Sequence, residues 1–212
     1  MEAAGTGQRL GAVKEAAPDQ MIIAPRILEG EHVRLEPAAE HHRDELREAL
    51  HCSPDIWEIY SVSGYGEHFP SFFEKMTTTA DRIAYVVRDK ASGRVAGTSS
   101  FLRIEPQHGT LEIGFTFLRP EFRGTQVNPE TKLLMLGEAF RAGALRVQFS
   151  VDTRNARSQA AVLKLGAKLE GIIRRHIVTW TGHKRDTAMF SIIDEEWPEV
   201  ERRLRERLGQ AA

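Results

Sequence analysis

Residues 145–166, LRVQFSVDTRNARSQAAVLKLG, change within one stretch from the pattern of a strand to that of a helix. Apolar and polar side chains alternate from Leu145 to Asp152, which predicts a half-buried strand. The polar run that ends at Asn155 supplies turn and N-cap residues. The alanines and leucines after it favour a helix that Gly166 would end. The stretch therefore predicts a strand, a short turn and a helix in direct succession.

Patterns elsewhere in the chain predict an α+β arrangement of layers around a mixed sheet. Strands are predicted near residues 32–37, 83–87, 94–104, 110–118, 168–180 and 184–193, and further helices over residues 38–50, 129–142 and the end of the chain. The aromatic-rich stretch 53–80 is broken by proline and glycine, which indicates short helices and loops.

The chain of 212 residues is long enough for one domain with extensions at both ends. Residues 1–24 are rich in Ala, Gly and Gln without clear periodicity, so we predict a mobile N-terminal tail, with Met21 as an alternative start. Residues 25–195 are predicted to form the domain itself. Residues 196–212 are predicted to form a C-terminal helix packed on that domain.

Composition excludes several classes of protein. The formal net charge of −1 gives no basic footprint for nucleic acid, and no apolar run approaches membrane-spanning length. The single cysteine, Cys52, excludes an internal disulfide and a Cys-rich zinc site. The first residues lack an apolar core followed by a cleavage site, so they do not read as a signal peptide. We therefore expect a cytoplasmic protein with neither nucleic acid nor membrane as a partner.

Asn155 and Ser158 fall one helical turn apart, so an amide and a hydroxyl can face the same point at a helix mouth. Asn155-Ala156-Arg157-Ser158 followed by Leu163-Lys164-Leu165-Gly166-Ala167 resembles the last motif of the GCN5-related N-acetyltransferase (GNAT) superfamily, in its RimJ/RimL-like branch. The resemblance extends over about residues 27–195. It implies a GNAT-type mixed, mostly antiparallel central sheet flanked by helices on both faces, and acetyl-CoA as co-substrate with no metal.

The resemblance also implies a coenzyme A site in the loop before the predicted helix at 129–142. The superfamily signature Q/R-x-x-G-x-G/A falls here on Arg123 to Asn128, with Gln126 and Asn128 in place of small residues. If position 126 needs a positive φ angle, glutamine would cost about 1 kcal/mol or more there. The cofactor-binding residues implied by the resemblance are Phe117, Leu118, Arg123, Gly124, Thr125, Gln126, Val127, Asn128, Asn155 and Ser158.

Two residues are predicted to carry the chemistry. Glu112, in Leu111-Glu112-Ile113-Gly114-Phe115, resembles the general base of the superfamily, which removes a proton from the attacking amine. Ser158 resembles the general acid that gives a proton to the departing thiolate of coenzyme A. The structural alternatives are an ordinary exposed glutamate on an alternating strand and a serine that caps a helix.

The predicted activity is transfer of an acetyl group to a primary amine by direct attack in a ternary complex. The resemblance implies a protein N-terminus as the acceptor; a small-molecule amine and a non-catalytic acyl-CoA-binding module are the alternatives. A homodimer is an expectation by analogy. Arg174-Arg175-His176 is either a polar strand edge or a site for an acidic acceptor or the 3′-phosphate, and the aromatic residues between 57 and 73 either line an acceptor pocket or form core.

Overall fold

An eight-stranded sheet forms the centre of the computed structural model, which describes residues 20–210. The strands are β1 (Leu28–Glu29), β2 (Val33–Pro37), β3 (Ile83–Asp89), β4 (Val95–Glu105), β5 (Thr110–Leu118), β6 (Arg146–Asp152), β7 (Lys168–Val178) and β8 (Lys184–Ile193). Their order across the sheet is β1-β2-β3-β4-β5-β6-β8-β7. Neighbouring strands are antiparallel except β5 and β6, which confirms the predicted mixed, mostly antiparallel sheet.

Helices cover the sheet on both faces. They are α1 (Arg43–His51), α2 (Phe69–Thr78), α3 (Val127–Arg141), α4 (Ala156–Leu165) and α5 (Trp197–Leu208). Side chains of β3 show the division, because Tyr85 and Val87 pack in the core with α3 and α5 while Ala84 and Val86 pack in the core with α1 and α2. Successive side chains of a strand point to opposite faces, so the period of two in the sequence produces two separate cores. None of the helices within residues 20–210 is both long and apolar enough to span a membrane.

The sheet opens between β5 and β6. The two strands pair in parallel only where Thr110 to Glu112 lies beside Arg146 to Gln148. Beyond that point β5 stays paired with β4, and β6 stays paired with β8 as far as Asp152. The two strands therefore separate along the rest of their length, and their backbone groups face a gap instead of each other.

The packed part of the chain begins before residue 25. Met21 is only 2 % exposed and belongs to the core of α3 and α5, and the backbone N–H of Ile22 donates to the carbonyl of Ala142 at 3.0 Å. Placing the end of the tail at residue 24 was therefore wrong, because this short apolar stretch buries its side chains against the domain. The rest of the predicted tail, residues 1–19, lies outside the described residues.

The C-terminal helix α5 packs on the same face as α3. Val200, Leu204 and Leu208 are buried, and the ring of Trp197 stacks on Phe140 with centroids 5.4 Å apart. The helix ends at Gly209, whose φ angle of +73° favours glycine.

Glu130 of α3 fastens the turn between β1 and β2. The residue is only 1 % exposed, and its carboxylate accepts the backbone N–H groups of Glu31, His32 and Val33 at 2.9, 2.7 and 2.7 Å. Buried backbone donors need such partners, since an unpaired one costs the full desolvation of the group.

Replacing Glu130 with leucine is expected to lower the free energy of unfolding by about 2 kcal/mol, because three backbone donors lose their acceptor. Urea denaturation would measure this loss. Glu195→Gln, at an exposed position, is the control and should change stability by no more than about 0.5 kcal/mol. Equal stability of Glu130→Leu and the wild type would mean that water replaces the carboxylate at no cost.

Candidate active site

A cavity of about 590 Å³ occupies the gap between β5 and β6. Both strands line it, together with the first turns of α3 and α4. Leu111 and Ile113 face the core of α3 and α5, so Glu112 between them points to the opposite face of the sheet. The cavity is therefore lined from both faces, with helix N-termini on one side and Glu112 on the other.

The loop before α3 has its positive φ angle at a glycine rather than at Gln126. Gln126 is the N-cap of α3 with φ −70° and ψ −14°, so its side chain imposes no backbone strain. The positive φ angle falls on Gly124, at +77°, where an added Cβ would meet nothing within 4 Å. The cost that a positive φ angle would bring at Gln126 therefore does not arise, because the backbone of this residue already has helical angles.

Arg123 supplies the charge of this loop. Its Nε donates to the carbonyl of Leu118 at 2.9 Å, while Nη2 is buried without a partner. Burial lowers the pKa of Arg123, and the nearby cation of Arg157 lowers it further. Two cations beside a helix N-terminus without a side-chain cap are suited to an anion such as a pyrophosphate, so these residues fit coenzyme A.

The cavity collects most of the predicted site residues. Those that line it are Glu112, Leu118, Arg123, Gly124, Thr125, Asn128, Asn155 and Ser158. Phe117, Gln126 and Val127 do not line it. Phe117 is buried in the core of α1 and α2, where its ring stacks on Trp57 at 5.4 Å, and Val127 is buried in the other core. Strand and helix periodicity turn these two side chains inward, so a contact of either residue with the cofactor would come from its backbone, and the assignment stays a prediction.

Glu112 is held by three side chains from neighbouring strands. Its Oε2 accepts from Ser150 Oγ at 2.9 Å, from Arg103 Nη1 at 3.1 Å and from Gln148 Nε2 at 3.4 Å. The residue is only 6 % exposed. The ordinary exposed glutamate of the alternative interpretation is therefore excluded, and the carboxylate has a fixed position at the wall of the cavity.

Asn155 and Ser158 have different tasks at the mouth of α4. Asn155 is the N-cap, and its Oδ1 accepts the backbone N–H of Ser158 at 3.0 Å. The cap is thus made by the asparagine rather than by the serine. The hydroxyl of Ser158 is left free of the capping bond while it lines the cavity.

Lys132 of α3 is a site residue that the sequence interpretation missed. The residue is only 5 % exposed and lines the cavity. Its ammonium group donates to Thr116 Oγ1 at 2.6 Å and to Ser99 Oγ at 3.0 Å. Burial lowers the pKa of Lys132 to about 7. A lysine between Thr131 and Leu133, on a helix whose other faces are mostly apolar, was the available signal.

Several arginines and a histidine of the cavity were also missed or left open. Arg82, Arg103, Arg185 and His176 line the cavity. Arg174 and Arg175, which precede the histidine, are exposed and outside it. The aromatic stretch divides as well, because Tyr60 lines the cavity while Trp57 and its neighbours on α2 form core.

Residues 20–210 contain no group of three or more His, Cys, Asp or Glu that could hold a metal ion.

Comparison with known proteins identifies the family. The model of the acetyltransferase (GNAT) domain matches residues 32–168, so the chain belongs to the GNAT family of acetyltransferases. A GCN5-related N-acetyltransferase from Brucella melitensis is 30% identical, with a TM-score of 0.84 over 92% of this chain and 90% of that one. A candidate acetyltransferase from T. thermophilus is 37% identical, with a TM-score of 0.81 over 89% of this chain and 100% of that one.

More distant structures share the fold. RimJ of Mycobacterium smegmatis, in complex with CoA-disulfide, is 16% identical with a TM-score of 0.73, over 88% of this chain and 96% of that one. A comparison with curated proteins gives no sequence match. The chain is thus an acetyltransferase of the GNAT fold, as predicted.

Proposed function

We propose that this acetyltransferase transfers an acetyl group from acetyl-CoA to a primary amine by direct attack in a ternary complex. The observation that carries the proposal is the cavity through the divided sheet. It joins a cationic loop and two helix N-termini on one side to a fixed carboxylate on the other. Two substrates can therefore meet in the gap from opposite faces of the sheet.

Binding of coenzyme A falls to the loop between β5 and α3. Arg123 and the N-terminus of α3 bind the pyrophosphate, and Gly124 leaves room for close approach of the backbone. The separated edges of β5 and β6 hold the pantetheine arm, because their backbone groups there are free of each other. The side-chain amide of Asn155 faces the same channel from α4.

Acetyl-CoA supplies the activated acetyl group as a thioester. Glu112 accepts a proton from the amine, directly or through one water molecule, and its three hydrogen bonds hold it in position. Ser158 gives a proton to the sulfur of the departing coenzyme A, and the positive end of α4 favours the oxygen that remains.

The acceptor that we propose is the N-terminal amine of a protein, which the resemblance to the RimJ/RimL-like branch implies. A small-molecule amine is the second candidate; a fold relative at 19% identity, the microcin C7 self-immunity acetyltransferase MccE, is described in complex with acetyl-CoA and AMP. The hairpin between β7 and β8 bridges to the segment after α1, where Trp180 Nε1 donates to the carbonyl of Trp57 at 2.9 Å. This bridge narrows the acceptor side, which suits an amine at the end of a chain or on a small molecule.

Calorimetric titration with acetyl-CoA, with desulfo-CoA as a comparison, tests the cofactor half of the proposal. A dissociation constant in the micromolar range is expected. A screen of peptide N-termini and small amines by thiol release then tests transfer. Binding without thiol release over the whole screen would favour the non-catalytic acyl-CoA-binding module instead.

Ser158→Ala is expected to lower kcat by about 100-fold without loss of stability, because general acid catalysis is lost while the Asn155 cap remains. Asn155→Ala is the matched variant, and loss of the cap should lower the free energy of unfolding by about 1 kcal/mol. Thiol release and thermal unfolding separate the two effects. If Ser158→Ala retained full kcat with a thiol leaving group, the serine would have no role as the acid.

The proposed assembly is a homodimer through β7, which lies at the edge of the described sheet. Ile172 and Val178 on this strand are 57% and 68% exposed, and an edge strand can pair with its copy around a two-fold axis. Sedimentation equilibrium measures the mass directly. A mass of one chain at every concentration would exclude the dimer.

A further inference from the structure

Arg185 on β8 is a buried cation that makes no direct ion pair, and the carboxylates of Asp152 and Glu112 act on it only from a distance. The residue is 8 % exposed and lines the cavity. Its Nη2 donates to the carbonyl of Ser150 at 3.0 Å, whereas Nε is buried without a partner. Within residues 20–210 no carboxylate oxygen lies within 4.0 Å of this guanidinium. Arg119, another buried arginine, has such a partner in Glu48 at 2.9 Å.

Of the other arginines that line the cavity, Arg82 and Arg103 are already engaged, and Arg123 and Arg157 lie at the loop that we assign to coenzyme A. Arg103 pairs with Glu112 at 3.1 Å, and Arg82 donates to Ser100 Oγ while it lies over the ring of Phe115 at 4.8 Å. Burial lowers the pKa of Arg185, but an arginine stays charged at neutral pH. A buried charge that lacks a partner is costly unless a ligand supplies the opposite charge.

His176 adds a second unpartnered polar group to the wall of the same cavity. It lies in an irregular part of β7, next to Ile177, which pairs with Arg185 across to β8. Its Nδ1 is buried without a hydrogen-bond partner, and the residue lines the same cavity. Two polar groups in the wall of this cavity therefore lack hydrogen-bond partners among the described residues.

Ser150 places Arg185 close to the proposed base. Its hydroxyl donates to Glu112 at 2.9 Å, and its carbonyl accepts from Arg185 at 3.0 Å. The carboxylate that would receive the proton of the amine and the free guanidinium are thus held by one residue. An acceptor that reaches both needs its amine and its anionic group only a few bonds apart.

We propose that Arg185 binds a carboxylate of the acceptor, a few bonds from the amine that is acetylated, with His176 as an additional polar contact. This assignment rests on the proposed function and names its substrate class. A planar guanidinium can donate two parallel hydrogen bonds to a carboxylate. Arg185 therefore suits a carboxylate better than a lysine ammonium group would. A free amino acid and a peptide that begins with Asp or Glu both carry this arrangement.

The first experiment compares acceptors that differ only in this charge. Peptides beginning with Asp or Glu are paired with those beginning with Asn or Gln, and free amino acids with their amides. The acidic member of a pair is expected to have a kcat/KM about 10- to 100-fold higher, the range of a charge-assisted pair of hydrogen bonds. The type of acceptor pair, peptide or free amino acid, that shows the larger ratio of kcat/KM values identifies the class of acceptor that the enzyme uses. Equal rates within every pair would overturn the proposal.

Variants of Arg185 test whether the preference arises at this residue. Arg185→Gln should reduce the ratio within a pair to near one, and Arg185→Lys should retain part of it because the charge remains. The ratio is insensitive to the fraction of folded enzyme, so partial loss of stability does not obscure it. Arg174→Gln, an exposed arginine outside the cavity, is the control and should keep the wild-type ratio. An unchanged ratio in Arg185→Gln would overturn the assignment.

An equilibrium measurement separates this inference from the proposed function. In the presence of coenzyme A, an acidic product should bind at least about 10-fold more tightly than its amide: N-acetyl-aspartic acid α-amide against N-acetyl-asparagine amide for a peptide acceptor, or N-acetyl-alanine against N-acetyl-alaninamide for a free amino acid. Arg185→Gln should abolish the difference. Selective binding without turnover of any amine would contradict the proposed function and leave the carboxylate site intact. Turnover without selective binding would contradict the site alone.

Discussion

Glu112→Gln is expected to lower kcat at neutral pH by about 100- to 1000-fold, the usual contribution of a positioned general base. The amide keeps the shape of the side chain and can still accept from Ser150, but it cannot take a proton from the amine. Acetyl-CoA affinity should change little, because Glu112 lies on the opposite face of the sheet from the cofactor loop. Steady-state kinetics and calorimetry measure the two quantities on the same protein.

The pH–rate profile gives the sharper test of the same residue. A wild-type profile limited by a carboxylate base loses rate as the pH falls, and the variant should lack this limb. Glu105→Gln, at an exposed position near the end of β4, is the matched control and should retain the profile and the rate. A variant profile identical to that of the wild type would remove Glu112 as the base.

The sequence predicted the sheet because its periodicities are local. Alternation over Thr110 to Leu118 and Lys184 to Ile193 gave the bounds of β5 and β8 as observed, and Asn155 and Gly166 marked the ends of α4. The GNAT resemblance supplied what periodicity could not, namely a mixed, mostly antiparallel sheet with helices on both faces. Helix boundaries were less accurate, and α3 began two residues before the expected start at Pro129.

The acceptor side of the site could not be predicted because its contacts join residues far apart in the chain. Arg185 and Ser150 are 35 residues apart, and the hydrogen bonds to Glu112 come from two other strands. Periodicity assigns a side chain to a face but does not say which residues meet across a sheet. The backbone strain considered at Gln126 is absent for a related reason. A motif gives residue types, whereas the φ angle depends on where the helix begins.

The buried Lys132 is expected to lower the stability of the protein, so Lys132→Met should raise it. At pH 6 we expect a gain of about 3 kcal/mol in the free energy of unfolding, because methionine needs no hydration where the ammonium group is desolvated. No polar group is left unpaired, since the hydroxyls of Ser99 and Thr116 also bond each other at 2.8 Å. For a chain of this size the melting temperature should rise by several degrees, at about 2–4 °C per kcal/mol.

The pH dependence of this gain identifies its cause. Burial lowers the pKa of Lys132 to about 7 in the folded protein, whereas an unfolded lysine titrates at about 10.4. Below pH 7 both states bind the proton, and the full penalty of burying the charge is present. Between these two pKa values the unfolded state binds more protons, so the penalty fades as the pH rises. The advantage of Lys132→Met should therefore be about 2 kcal/mol smaller at pH 9 than at pH 6.

Chemical denaturation at pH 6 and pH 9 measures both gains. Lys75→Met is the control, because this lysine is exposed on α2 and its replacement should change stability by no more than about 0.5 kcal/mol at either pH. An advantage of Lys132→Met that was the same at both values of pH would mean that packing, not the desolvated charge, is the source. Loss of stability at pH 6 would instead mean that the hydrogen bonds to Ser99 and Thr116 outweigh the cost of burial.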